Sequence, residues 1–349
     1  MKGDVVFAVP GDLDIPTGGY AYDKRMVAEL RELGWRPEVL NLGEGFPRPS
    51  ALTRAAANAQ LHDVSKGRPV VIDGLAFGVL PEVAETLSVT HPLIALVHHP
   101  LALETGLTPR DAAALRESER RALSFTHGVV ANSATTARAL AADYGVPAER
   151  ITVAPPGTDR APQIRRDQSG PIALLAVGSI VPRKGYDLLV EALAGMLDLP
   201  WHLTIVGEAR DRAAADQLRA AIEHHRLTPR VSLVGAVQPS RLTGLYGESD
   251  LFVLPSRYEG FGMAYAEAIA HGLPVIGTTA GAIPETVSVE VGILVPPDDV
   301  AALAAALRRL IENAEDRAQL AAGARKAAES LPTWAESAKL FSDAIERVV

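Results

Sequence analysis

Cysteine is missing from all 349 residues. That excludes a disulfide framework, a cysteine-ligated zinc site and a thiol nucleophile. An excess of positive charge is missing as well. Lys and Arg number 34 against 42 Asp and Glu, a net charge of −8, whereas nucleic-acid binding needs clustered cations. No apolar run approaches the roughly 20 residues of a membrane-spanning helix. The run near the start, in MKGDVVFAVPGD, is too short for a secretory signal. These absences predict a soluble cytoplasmic protein with no nucleic-acid partner and no transmembrane segment. What is abundant is apolar bulk: 48% of residues are hydrophobic, in a chain longer than one ordinary domain. Two separate cores are therefore expected.

The apolar segments recur with a regular beat. Short runs fall at 5–9, 38–42, 70–73, 93–98, 128–131 and 151–154, and again at 172–177, 203–206, 231–234, 251–254, 275–277 and 293–295. Helical patterns separate them, several with clear starts: Thr108-Pro109 with Asp111 offers a cap, a first-position proline and a first-turn acid, and Ser133 caps a helix that ends at Gly145. Strict alternation of strand and helix implies parallel sheets with right-handed crossovers. The expected fold is α/β, two Rossmann-like domains of six strands facing each other across a cleft, with a linker at 157–170. In such sheets ligands bind beyond the carboxyl ends of the strands. Gly11, Asp73, His98 and Asn132 stand there in the first half; Gly178, Gly207, Gly235 and Ser256 stand there in the second.

One stretch concentrates the chemistry: DLFVLPSRYEGFGMAYAEAIAHGLP, residues 250–274. It reads as a buried strand, a glycine-containing turn, and a helix from near Gly262 that stops at Gly272, with Pro274 beyond. The start of such a helix offers free N–H groups to a phosphate. Two carboxylates flank it, Glu259 in the turn and Glu267 inside the helix. Eight positions along a helix amount to roughly 12 Å, too far for a pair sharing one proton. They suit two acceptors gripping different parts of one long ligand. Read alone, they also suit a local cap and a solvated turn.

The surroundings favour the first reading. Ser256-x-x-Glu259-Gly260-Phe261-Gly262, then Glu267-Ala268, then Gly272-x-Pro274-Val275, resembles the E-x7-E signature of the retaining glycosyltransferases of family 4, the group 1 enzymes of GT-B fold. The resemblance extends to Gly18-Gly19, His98, Arg183-Lys184-Gly185 and Gly281-Ala282-Ile283-Pro284-Glu285.

The resemblance implies an acceptor domain over 1–160, a nucleotide-sugar donor domain over 170–331, and a last helix, 332–349, crossing back to the first domain with Trp334 as anchor. It implies a nucleotide-diphosphate sugar donor of UDP or GDP type, transfer of a hexose to an acceptor hydroxyl, and no metal or other cofactor. His98, Lys184 and Glu259 take the catalytic positions. Gly18, Gly19, Arg183, Gly235, Gly260, Phe261, Gly262, Met263 and Glu267 take donor-binding ones. Ser179 stands where the family commonly has an arginine, and Arg183 is the candidate substitute. Gly18-Gly19 reads either as a close approach to the diphosphate or as a plain turn. Two further functions share the layout, a nucleotide-sugar epimerase and a catalytically idle binding subunit; the intact His98, Lys184 and Glu259 count against idleness. Asp12-Leu13-Asp14 forms a D-x-D, as in metal-dependent glycosyltransferases, but it follows the first strand rather than coming late. The arginines at 110, 116, 120 and 121 alternate with Glu117 and Glu119, as on a solvated helix face.

Overall fold

The computed structural model describes residues 2–161 and 170–349. The linker expected at 157–170 falls largely on 162–169, outside the described residues. The chain divides into two units, Met1–Gly157 with Pro332–Val349, and Thr158–Leu331.

The first unit carries strands β1 (Asp4–Val9), β2 (Arg36–Asn41), β3 (Val70–Asp73), β4 (Leu93–Val97), β5 (Gly128–Ala131) and β6 (Ile151–Val153). They form one parallel sheet in the order β2-β1-β3-β4-β5-β6. Every residue of β3, β4 and β5 is buried, because helices cover both faces of a parallel sheet; continuous apolar runs are the result. Chain direction across the sheet reverses between β1 and β3, the switch found in flavodoxin-like folds. The helix Trp334–Glu346 completes this unit. It opens on a capping box between Thr333 and Glu336. Phe341 stacks on Phe7 of β1 at 5.9 Å, and the Trp35 indole N–H donates to Ser342 Oγ at 2.9 Å.

The second unit carries β7 (Ile172–Val177), β8 (Trp201–Val206), β9 (Val231–Gly235), β10 (Leu251–Val253), β11 (Val275–Thr278) and β12 (Gly292–Val295). Their order, β12-β11-β10-β7-β8-β9, is the dinucleotide-fold order and reverses between β7 and β10. Leu174, Leu203, Phe252, Val275 and the helix residues Leu189, Ile269 and Leu307 share its core. The first helix after β7 spans Tyr186–Ala194. Gly195 follows it, and the Met196 carbonyl accepts both from the Leu199 N–H at 3.2 Å, in a tight turn, and from the Trp201 indole N–H at 2.7 Å.

Candidate active site

In the second unit the carboxyl ends of β7 and β10 lie side by side at the point where the strand order reverses. Beyond β7 the chain makes a 3₁₀ turn, Pro182–Lys184, before its helix. Gly185 sits at φ +69°, and a Cβ there would strike the Pro255 carbonyl just past β10. Glycine is what lets this turn close onto the neighbouring strand end. The turn and the 255–259 segment are then stitched together. Arg257 N–H donates to the Arg183 carbonyl at 2.8 Å, and Arg183 Nη1 donates to the Tyr258 carbonyl at 2.8 Å.

Glu259 is the focus of this closure. Lys184 Nζ donates to its Oε1 at 2.7 Å, Arg183 Nη1 to Oε2 at 3.1 Å, and Ser256 Oγ to Oε1 at 2.7 Å. Its own carbonyl accepts from Ala282 N–H at 2.9 Å. Gly281, at φ +58°, packs so closely on this backbone that any side chain would collide with it. Gly260 and Phe261 continue the buried turn, and Gly262, at φ +91°, leads into the helix Met263–Ala270 without a side-chain cap. Glu267 projects from that helix, and its Oε2 accepts from Tyr246 Oη at 2.8 Å. The glutamates thus have separate partner sets. Gly235 ends β9 at the far edge of the sheet, two strands from β7, where its carbonyl accepts from Gly207 N–H at 2.9 Å.

In the first unit His98 follows the last residue of β4. Its Nε2 lies 3.0 Å from Asp23 Oδ1 and 3.3 Å from Asp73 Oδ2, both carboxylates fully buried. Asp73 ends β3, beside the reversal in strand order. Gly19, Tyr22 and Asp23 stand at i, i+3 and i+4 on the helix Gly18–Glu32, so they share one face. The imidazole packs on that face: the Tyr22 ring meets it edge-on at 5.3 Å, and a Cβ on Gly19 would come within 3.4 Å of its Cδ2. Gly18 and Gly19 are therefore the first residues of a helix rather than a free turn, and Gly19 lies against His98. His99 takes a different partner, Glu104, at 3.4 Å. Asp23, Asp73 and His98 are the one grouping, among the described residues, with metal-ligand donor atoms all within 4.8 Å of one another. The D-x-D is engaged locally, Asp12 Oδ1 accepting from Asp14 N–H at 2.8 Å and Asp14 pairing with Lys24 at 2.5 Å.

The family model described as "Glycosyl transferases group 1" matches residues 158–327, and the one described as "Glycosyltransferase Family 4" matches residues 80–161. The chain belongs to the group 1 glycosyltransferases of family 4.

This glycosyltransferase is 27% identical over 330 residues to an MMP alpha-(1->4)-mannosyltransferase of Mycolicibacterium hassiacum, a match covering 87% of the chain and 77% of that relative. It is 32% identical over 265 residues to a D-inositol 3-phosphate glycosyltransferase of Rhodococcus erythropolis, covering 71% of the chain and 59% of the relative. That second relative is thus spanned for less than two thirds of its length. Sucrose-phosphate synthase from Thermosynechococcus elongatus shares its GT-B fold at a TM-score of 0.83 and 20% identity, over 98% of both chains. Anabaena HepE, solved in complex with UDP and glucose, does so at 0.76 and 19%, over 98% of this chain and 99% of its own.

The electrostatics of the glycosyltransferase separate its acids. Burial raises the Glu259 pKa, but the Lys184 and Arg183 charges and the Lys184 and Ser256 hydrogen bonds outweigh it and bring the value to about 2. Glu267 goes the other way. Burial pushes it up, the Tyr246 hydrogen bond opposes, the Asp159 charge adds to the rise and the Lys184 charge opposes it. Burial alone would lower the His98 pKa; Asp23 and Asp73 reverse that and hold the ring protonated well above its ordinary range. Asp23, Asp73 as a partner of His98, and Tyr246 are not singled out by any sequence motif. Asp23 has one faint signal, its i+4 spacing from Gly19. Tyr246 has none. Among the described residues no helix is long and apolar enough to cross a membrane.

Proposed function

We propose that this glycosyltransferase moves a hexose from a nucleotide-diphosphate sugar, of UDP or GDP type, to an acceptor hydroxyl with retention of anomeric configuration and without a metal. The observation that carries the reading is the convergence of Lys184, Arg183 and Ser256 on Glu259 at the switch point of the second sheet. Open parallel sheets bind nucleotides at that place. Lys184 there is suited to stabilising the diphosphate as negative charge builds on it. Glu259, kept ionised, accepts from hydroxyls of the transferred sugar, and Glu267 accepts from the ribose. Gly260, Phe261, Gly262 and Met263 bring backbone N–H groups of a helix start toward phosphate.

In the first unit, taken as the acceptor domain, a protonated His98 donates toward the transferred sugar, and Gly18-Gly19 keep that neighbourhood open to it. Retention follows when the acceptor hydroxyl attacks from the face that the diphosphate leaves. The C1–O bond to phosphate breaks, the C1–O bond to acceptor forms, and the leaving phosphate oxygen takes the hydroxyl proton. No protein base is needed, so catalysis rests on orientation and charge stabilisation. The UDP seen in HepE supports a nucleotide of that type, and the mannosyl relative supports a hexose.

The test is a thermal-shift screen of UDP- and GDP-hexoses, followed by incubation of the stabilising donor with candidate acceptors and NMR of the product. Retention gives an anomeric configuration equal to the donor's. An inverted product, or an epimerised nucleotide sugar without transfer, overturns the reading.

A further inference from the structure

The structure points to a positioning residue outside every motif. We propose that Tyr246 fixes Glu267 so that Oε1 faces the ribose hydroxyls, which makes Tyr246 a determinant of preference for ribonucleotides over 2′-deoxyribonucleotides. The inference rests on the reading of Glu267 as the ribose acceptor.

Glutamate is a poor recognition group when unrestrained, because its rotamers must be frozen at the moment of binding. Here the freezing is built in. Tyr246 Oη donates to Oε2 at 2.8 Å, while no hydrogen bond among the described residues engages Oε1. Tyr246 is itself held. It is 1% exposed, its ring stacks on His271 at 4.7 Å and 18°, and Phe252 of β10 lies 6.3 Å away. His271 Nδ1 in turn bonds the Glu267 carbonyl at 2.8 Å. Ring, ring and helix end therefore form one rigid support behind one carboxylate.

The hydroxyl also bears on the charge of Glu267. The groups facing that carboxyl are Tyr246 from helix Pro239–Gly247, Lys184 from the 3₁₀ turn and Asp159 from the segment after β6. His271 lies at the end of its own helix, its pKa lowered by burial. Burial pushes Glu267 toward protonation, and the Tyr246 hydrogen bond is the largest opposing influence. A protonated carboxyl is a weaker acceptor. Loss of the hydroxyl thus weakens ribose binding more as pH falls.

The experiment is calorimetry with UDP, GDP and their 2′-deoxy forms on the full chain, for the parent, Tyr246→Phe, Glu267→Ala and the double variant, at pH 8 and pH 6. Phenylalanine keeps the ring that stacks on His271. For the diphosphate that the parent binds, Tyr246→Phe should raise Kd roughly 3- to 10-fold, the scale of one lost hydrogen bond. The ratio between ribo and 2′-deoxy forms should shrink, and the loss should grow at pH 6. On the Glu267→Ala background the tyrosine substitution should add nothing. An additive loss in the double variant, or an unchanged ribo-to-deoxy ratio, overturns the inference and makes Tyr246 a packing residue. If Glu267→Ala alone leaves nucleotide affinity intact, the ribose reading fails and the inference falls with it.

Discussion

Nζ of Lys184 lies 2.7 Å from Oε1 of Glu259, a carboxylate 75 positions further along the chain. Both side chains are largely withdrawn from water, 14% and 7% exposed. An ion in such a place is costly unless paired and hydrogen-bonded. Glu259 meets the condition with three side-chain donors, so removing one leaves it held by Arg183 and Ser256.

Lys184→Ala should therefore fold and lose activity. Removal of one charge-stabilising contact typically lowers turnover about 100- to 1000-fold, by analogy with oxyanion-hole donors. Steady-state kinetics beside a thermal melt read the two effects apart. Parent-like turnover would assign the diphosphate contact to Arg183 instead.

The two glutamates should separate by ligand. Free nucleoside diphosphate contains the ribose but not the transferred sugar. Glu267→Ala should weaken its binding by roughly 1.5–3 kcal/mol, the worth of a hydrogen bond to a charged group. Glu259→Ala should leave that affinity nearly unchanged while depressing turnover with the intact donor and blurring selection between epimeric sugars. If only Glu259→Ala loses the diphosphate, the roles are reversed.

Chelation should have no effect on transfer. The test is turnover in excess EDTA, then with manganese restored. Activity that vanishes and returns would implicate either the D-x-D at Asp12 and Asp14 or the Asp23–Asp73–His98 grouping, and Asp12→Asn against Asp73→Asn would tell them apart.

Asp23→Asn should lower the pKa of His98. Asp23 and Asp73 are what raise it. The raised pKa stabilises the fold fully below the ordinary 6.5, and that contribution is lost as pH rises through the folded value. With one carboxylate gone, the loss should move to lower pH. Imidazole chemical shifts of His98 across the titration give the direct measurement, and an unchanged midpoint would show that Asp73 suffices.

Glu119 gives an alkaline prediction of its own. The side chain is 1% exposed, and Oε2 accepts from Leu101 N–H at 2.9 Å. Burial pushes its pKa from 4.5 up to about 8, only partly offset by Leu101 and Tyr144. The folded state binds the proton more tightly than the unfolded one. Stability from this group is thus present below pH 4.5 and declines up to about pH 8. Glu119→Gln keeps an acceptor for Leu101 and cannot ionise. Its melting temperature should fall less than the parent's between pH 6 and pH 9. Parallel declines would remove Glu119 as the cause.

Strands such as β4 and β10 are legible because both faces of a parallel sheet are buried, which leaves an unbroken apolar run whatever the neighbours are. The turn after β10 is legible too, since Gly262 and Gly272 mark backbone that other residues rarely adopt. Helix ends are less so: no local pattern says that the chain after Gly195 turns, with the Met196 carbonyl accepting from Leu199 and Trp201, rather than continuing as helix.

The sequence by itself determined the alternation of twelve strands with helices, the resemblance to family 4 and the placing of Glu259 and Glu267 on a turn and a helix. These depend on periodicity and short spacing, which a chain carries locally. Only the tertiary structure decided which partners those residues have. Lys184 meets Glu259 across 75 positions, His98 meets Asp23 across another 75, and Tyr246 meets Glu267 across 21. Such pairings depend on strand order, on the close approach that Gly185 permits, and on which helix face turns inward. A hydrogen bond reaches about 3 Å, and no pattern along the chain specifies which distant atoms come that close.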